Sequence, residues 1–436
     1  MAGRSTFAII GAGQAGAAAA ESLRGWGFDG RLLLIGEEPV RPYERPPLSK
    51  DYLRGEATFE DAAVHAGDFY RTHDIDLRLS TKATALDLKG RRITLDSGAE
   101  VTYDRLLLTT GAEPRRLEVP GAGLPGVFTL RTLFDADQIR RTAGSASCAV
   151  VVGAGWVGTE VAASLRQTGL SVAMVDPNRT PMERVLGPGV GQVWADLHAA
   201  HGVNLHLGVT VDSIEGHDTV EAVRLSDGTT LTCDLVVVGV GVAPRAELAL
   251  GAGLQVDDGI IVDQHLETSM PGVFAAGDVA NAYHPGLRRR TRVEHWMSAL
   301  TQGPTSAANM LGHHARHDRI PWFASQQYDL YMEYVGHATA SDPVVIRGSL
   351  SDRQFVAFWL RDGRVLASLS ANVLGTARHL RALVASGHRV DVQALVDPTM
   401  GWDELAHNGS HPAWRSEPEA DALPDPQEAL HELSPN

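Results

Sequence analysis

Cysteine is scarce: the 436-residue chain has two, Cys148 and Cys233, and no C-x-x-C pair. That excludes a disulfide framework and a dithiol relay that would carry electrons onward. Positive charge is also short. With 38 Lys and Arg against 53 Asp and Glu, the formal charge is −15, which argues against nucleic acid and against anionic membrane surfaces. No apolar run is long enough to span a bilayer. Residues 1–20 share the outline of a secretory signal, with Arg4, an apolar run and then alanines. Glycines at positions 11, 13 and 16 explain that run better as a strand, a phosphate turn and a helix, so a cytoplasmic protein is expected. Hydrophobic content of 44% is ordinary, and the length implies two or three domains.

What is present begins with Phe7–Ile10, a short buried strand, followed by Gly11-Ala12-Gly13-Gln14-Ala15-Gly16 and an alanine-rich helix to about Trp26. Leu32–Ile35 is the next strand, closed by Gly36-Glu37-Glu38. Gly11 permits the tight turn, Gly13 lets backbone approach a pyrophosphate, and Gly16 lets helix and strand pack closely. The helix N-terminus then faces the phosphates. An acid after the second strand, Glu37 or Glu38, accepts from a ribose hydroxyl.

The pattern recurs. Strand Ala149–Val152 leads into Gly153-Ala154-Gly155-Trp156-Val157-Gly158, a helix from Thr159 to Gln167, and a strand Val172–Val175 ending at Asp176. Two such units imply two dinucleotides. Asp176 stands where a carboxylate accepts from the 2′-hydroxyl of NADH and repels the 2′-phosphate of NADPH. Arg179 and Arg184 just beyond could hold that phosphate; NADH is favoured. Glu160 lies two residues after Gly158, in the expected first turn, where an acid favours the helix dipole.

Between the two units, Arg41 to Leu53 reads Arg-Pro-Tyr-Glu-Arg-Pro-Pro-Leu-Ser-Lys-Asp-Tyr-Leu. Pro46 and Pro47 fix φ and remove donors, so a rigid loop is expected, with Ser49 as the cap of a short helix. Arg45 and Lys50 suit an anionic or electron-rich planar ligand; otherwise they are solvated cations. Pro42 to Lys50 resembles the signature loop of the FAD-dependent, NADH-utilising ferredoxin reductases, a group that includes the putidaredoxin and rubredoxin reductases and the reductase components of Rieske dioxygenases. Apoptosis-inducing factor is related. The resemblance runs from residue 7 to roughly 410.

The resemblance implies an α/β fold with two Rossmann-like dinucleotide-binding domains, glutathione-reductase-like, and a C-terminal α+β domain. FAD is assigned to residues 1–115 and 246–319, NADH to 116–245, and an interface domain that often dimerises to 320–411. The chain is then a monomer or a homodimer through that domain. Beyond 412 the sequence is acidic and proline-rich, expected as a disordered tail to 436.

Residue by residue, the resemblance puts Lys50 near flavin N5, paired with Glu160, and selects Glu37 as the FAD-ribose acid. Ala83 lies against adenine. Thr110 and Gly111 return the chain to the flavin, and Arg131 reaches FAD or is an exposed arginine before a helix. Gly277-Asp278 binds ribitol at the start of a helix. Glu294-His295-Trp296 opens a helix aimed at the flavin pyrimidine, with Trp296 beside the ring or in the core. Gly239 and Gly241, in Gly239–Pro244, lie beside the nicotinamide. Four positions depart from the family pattern: Thr109 replaces Ala, Arg245 replaces Asn, and Ala324 and Gln326 replace the Trp and Asp of Phe-Trp-Ser-Asp-Gln, with Trp322 a partial substitute for the lost Trp. Arg288–Arg290 is either a solvated run or a docking patch.

Electrons would pass from NADH through FAD to a ferredoxin or rubredoxin serving an oxygenase. The alternatives are an NADH oxidase or quinone reductase without a protein partner, or a redox-responsive binding protein. No metal site is expected.

Overall fold

The computed structural model describes residues 4–407. The expected acidic tail, 412–436, lies outside them.

Apolar runs buried on both faces make central parallel strands. Thr6–Ile10 pairs with Arg31–Ile35 on one side and Arg105–Leu108 on the other. Ile75–Arg78 and Val273–Ala275 complete a five-stranded parallel sheet. The last of these strands arrives some 165 residues after its neighbour, so two separate stretches of chain build one sheet. The helix Gln14–Gly25 covers it against Trp296–Met310, the two touching through Gly303, where a Cβ would sit 2.4 Å from the Ala15 carbonyl.

A second parallel sheet has the same plan, in the order Asn204–Leu207, Ser171–Asp176, Cys148–Val152, Leu235–Val238, Val127–Thr129. Its helix is Trp156–Gln167. An antiparallel pair, Ala112–Pro114 with Val242–Pro244, links the two units. In both sheets the central strand ends at the glycine turn, the topological switch point where such sheets bind ligands.

Trp322–Gln327, Leu330–Gly336, Arg364–Ala371, Gln354–Arg361 and Val344–Ser349 form a third, wholly antiparallel sheet. One of its faces packs on the helix Glu183–Ala200 through Trp194, Leu197, Phe355 and Trp359. The other face is covered by Ala377–Ser386 through Leu380, Leu383 and Val384. Parallel sheets with crossover helices and a separate antiparallel sheet make the expected α/β class with an α+β end.

Three local expectations are corrected. Pro46 and Pro47 do not forbid helix; they start a one-turn 3-10 helix, Pro46–Ser49, where first-turn donors have no partner to lose. Ser49 does not cap the following Asp51–Arg54 turn, because its hydroxyl is turned toward Glu160. Asp278 opens no helix either: Gly277–Val279 is a single 3-10 turn that runs into the strand Ala280–His284.

Candidate functional site

Both fingerprint helices begin with free donors. Gly13 and Gly155 are extended N-caps without a side-chain cap, and neither helix has an acid in its first turn. A Cβ at either glycine would meet nothing within 4 Å, so the space before each helix is open. Free N–H groups and the positive end of the dipole face that space, the arrangement that holds phosphate. Gly16 and Gly158 act differently: a Cβ there would lie 2.1 Å from the Gly11 carbonyl and 1.9 Å from the Gly153 carbonyl. Gly153, at φ +102, would place one 2.3 Å from the Gly239 carbonyl. These three permit close packing and do not line the cavity.

One cavity of about 1800 Å³ joins the two crevices. Small-molecule sites are typically about 300–1,000 Å³, so this one has room for more than one ligand. Its wall includes Gly11, Gly13, Ala15, Glu37, Arg45, Lys50, Ala83, Thr110, Gly111, Arg131, Gly277, Asp278, Glu294, His295 and Trp296 from the first unit. Gly155, Trp156, Val157, Glu160, Gly239 and Gly241 line it from the second. Asp176 and Arg184 do not. Asp176 is buried, with Oδ2 accepting from the Ala154 N–H at 2.7 Å and Oδ1 from Asn178 N–H and Nδ2, each at 2.8 Å. Arg184 is exposed outside the cavity.

At the junction of the crevices, Lys50 Nζ lies 2.7 Å from Glu160 Oε2. Glu160 is the fifth residue of its helix, one turn deeper than expected, which carries it below the phosphate end and toward the loop. Ser49 Oγ donates to the same oxygen, and Ser325 Oγ, from the third sheet, donates to Oε1 at 2.6 Å. Beside the pair, His295 stacks on Phe323 with ring centroids 4.4 Å apart, and Phe323 meets Trp156 edge-on at 4.7 Å. Burial pushes the His295 imidazole down to about 3, Asp278 opposing this and Lys50 adding to it, so the ring is neutral near pH 7. Trp296 lines the cavity and donates Nε1–H to Gln14 Oε1 at 3.1 Å.

Arg131 pairs with Asp278 at 2.6 Å, while its own Nε is buried without a partner. Arg45 pairs with Glu38 at 2.9 Å, and Glu38 also accepts from the Tyr43 hydroxyl. Glu37 is held by Lys82 at 3.1 Å and Arg245 at 2.5 Å. Burial alone would raise the Glu37 carboxyl; the two cations outweigh it and hold it below the usual range. Arg245, which follows the Gly239–Pro244 element, therefore reaches an acid of the first unit. Glu294 is tied to Arg292. In the basic run, Arg289 bonds His337 and Arg290 bonds the carbonyls of Val262 and Asn281, so two of its three guanidiniums serve the protein itself.

Sequence reasoning missed Ser325, Gln327 and the Glu37–Arg245 pair. The first two had a signal: with Phe323 they are the positions that survive in the partly altered Phe-Trp-Ser-Asp-Gln stretch.

Residues 5–303 match the pyridine nucleotide-disulphide oxidoreductase model, and residues 322–406 match the reductase C-terminal model. The chain belongs to the pyridine nucleotide-disulphide oxidoreductase family. Within it, the relatives are ferredoxin reductases. The 5,5′-dehydrodivanillate O-demethylase ferredoxin reductase subunit of Sphingobium sp. is 39% identical over 402 residues, covering 91% of this chain and 97% of its own. Putidaredoxin reductase CamA of Pseudomonas putida is 38% identical, covering 84% and 88%. The solved covalent putidaredoxin reductase–putidaredoxin complex aligns at TM-score 0.90 with 35% identity, over 95% of this chain and 100% of that one. This family member is thus an oxidoreductase, and among its described residues no helix is long and apolar enough to cross a membrane.

Proposed function

We propose that the chain takes electrons from NADH and delivers them through FAD, one at a time, to a ferredoxin-type iron–sulfur protein or a rubredoxin that serves an oxygenase. The observation that carries this reading is the Lys50–Glu160 pair, which joins the two nucleotide crevices inside one cavity. The cysteines support a one-electron exit. Burial pushes the Cys233 thiol up to about 12, and burial with Asp234 raises Cys148. Neither lines the cavity, so no thiolate is placed to take electrons from it.

The residues fit FAD. Its pyrophosphate would meet the free donors past Gly11 and Gly13, with Ala15 on the wall and Gly16 packing the helix down. Glu37, ionised by Lys82 and Arg245, would take the ribose. The unpartnered Arg131 Nε is a buried donor awaiting an acceptor, and the Asp278–Arg131 pair would flank the ribitol. Arg45, Ala83, Thr110, Gly111, Gly277, Glu294, His295 and Trp296 complete this site. FAD supplies hydride acceptance and single-electron release when bound. Lys50 orients the ring and offsets charge developing on it.

NADH would occupy Gly153–Gly158, with Trp156, Val157, Glu160, Gly239 and Gly241 around the nicotinamide half. Asp176 would exclude a 2′-phosphate by its charge, and Arg184, exposed outside the cavity, would reach the adenosine end. The flavin domain then spans 1–115 and 246–319, the NADH domain 116–245 and the C-terminal domain 320–411, in a cytoplasmic protein. Anaerobic mixing of the yellow holoprotein with each coenzyme tests the assignment. NADH should bleach the flavin far faster than NADPH; a colourless protein, or preference for NADPH, overturns it.

A further inference from the structure

Glu160 Oε2 is held twice by the proline loop, through Ser49 and Lys50, but Oε1 accepts only from Ser325 among the described hydrogen bonds. Ser325 is 4% exposed and comes from the third sheet. Its hydroxyl is itself oriented. Gln327 Nε2 donates to Thr159 Oγ1 at 3.0 Å and approaches Ser325 Oγ at 3.4 Å, while Gln327 Oε1 faces His198 Nε2 at 3.1 Å. With Oγ accepting from Gln327, its single proton points at Glu160. Gln327, Thr159 and His198 are all buried, so this network is shielded from bulk water. A buried carboxylate oxygen that loses its one donor must turn to find another.

On this basis we propose that Ser325 is a positioning residue for the redox site: it fixes the plane of the Glu160 carboxylate, and so the Lys50 ammonium, from the C-terminal domain. The same strand, Trp322–Gln327, places Trp322 and Ala324 on the cavity wall. A partner that shifts this strand therefore shifts the charge pair. The inference rests on the proposed placement of Lys50 and Glu160 beside the flavin.

The test compares holoprotein variants by the midpoint potential of the bound flavin and by anaerobic NADH reduction. Ser325→Ala should keep FAD content and melting temperature near wild type, shift the potential, and slow reduction about tenfold. Ser325→Thr, which keeps the hydroxyl, should restore both. Lys50→Met is the control. If Lys50→Met shifts the potential and Ser325→Ala leaves potential and rate unchanged, the positioning role is wrong and the site reading stands. If neither variant moves the potential, both fall.

Discussion

Lys50 in the proline loop and Glu160 in the helix Trp156–Gln167, 110 residues apart, meet at 2.7 Å in the cavity where the two crevices join. Removing either charge leaves the other largely buried without a counterion, which typically costs about 3–5 kcal/mol, less here because Lys50 keeps partial contact with solvent. Lys50→Met and Glu160→Gln should each slow flavin reduction by NADH about 100-fold. The double variant should lose little more than either single one, because the two act as a unit. Additive losses would show that they act separately.

Arg245 and Lys82 hold the Glu37 carboxylate ionised and facing the cavity. Both cations are partly exposed, so their pairs contribute only about 0.2–1 kcal/mol to folding. Arg245→Asn should therefore leave the melting temperature within about 2 °C. FAD release, followed by flavin fluorescence, should quicken about fivefold. Unchanged release would remove Arg245 from the cofactor site.

Asp176 serves both charge and shape, since it ties down Ala154 of the second glycine turn. Asp176→Asn keeps an acceptor for that N–H but drops the charge. It should narrow the NADH-over-NADPH preference in kcat/KM by about tenfold while the fold holds. A preference that survives the change would place coenzyme choice elsewhere.

How much of this was readable from sequence depended on locality. Both glycine turns sit in compact motifs whose spacing sets backbone geometry, so their placement followed directly, whereas the 3-10 turn in the proline loop and the deeper position of Glu160 in its helix did not. Arg245 did not, because its partner Glu37 is 208 residues away and local spacing says nothing about which side chains of distant elements meet. Asp176 was readable as the acid ending a strand, yet not that its oxygens turn inward to Ala154 and Asn178. Ser49 read as a helix cap because short-range capping rules could not see a carboxylate arriving from the distant helix Trp156–Gln167.

Stability should fall on mild acidification. Burial pushes His198 down to about 4 and His295 and His317 down to about 3, against an ordinary value of 6.5. Below 6.5 the unfolded chain binds protons that the folded chain does not, so stability is full above 6.5 and is lost as pH falls toward 3–4. Each histidine costs about 1.4 kcal/mol per pH unit in that window. Melting temperature should drop steadily from pH 6.5 to 4.5, and His317→Asn should flatten the slope by no more than about a quarter, because burial also pushes His65 down to about 4. A flat profile would mean that these rings are solvated.

The most direct check is anaerobic mixing of the NADH-reduced holoprotein with an oxidised [2Fe-2S] ferredoxin, counting ferredoxins reduced per NADH. One-electron delivery requires fast transfer and two ferredoxins per NADH. A reduced flavin that ignores ferredoxins and rubredoxins but discharges rapidly to oxygen or a quinone would contradict it.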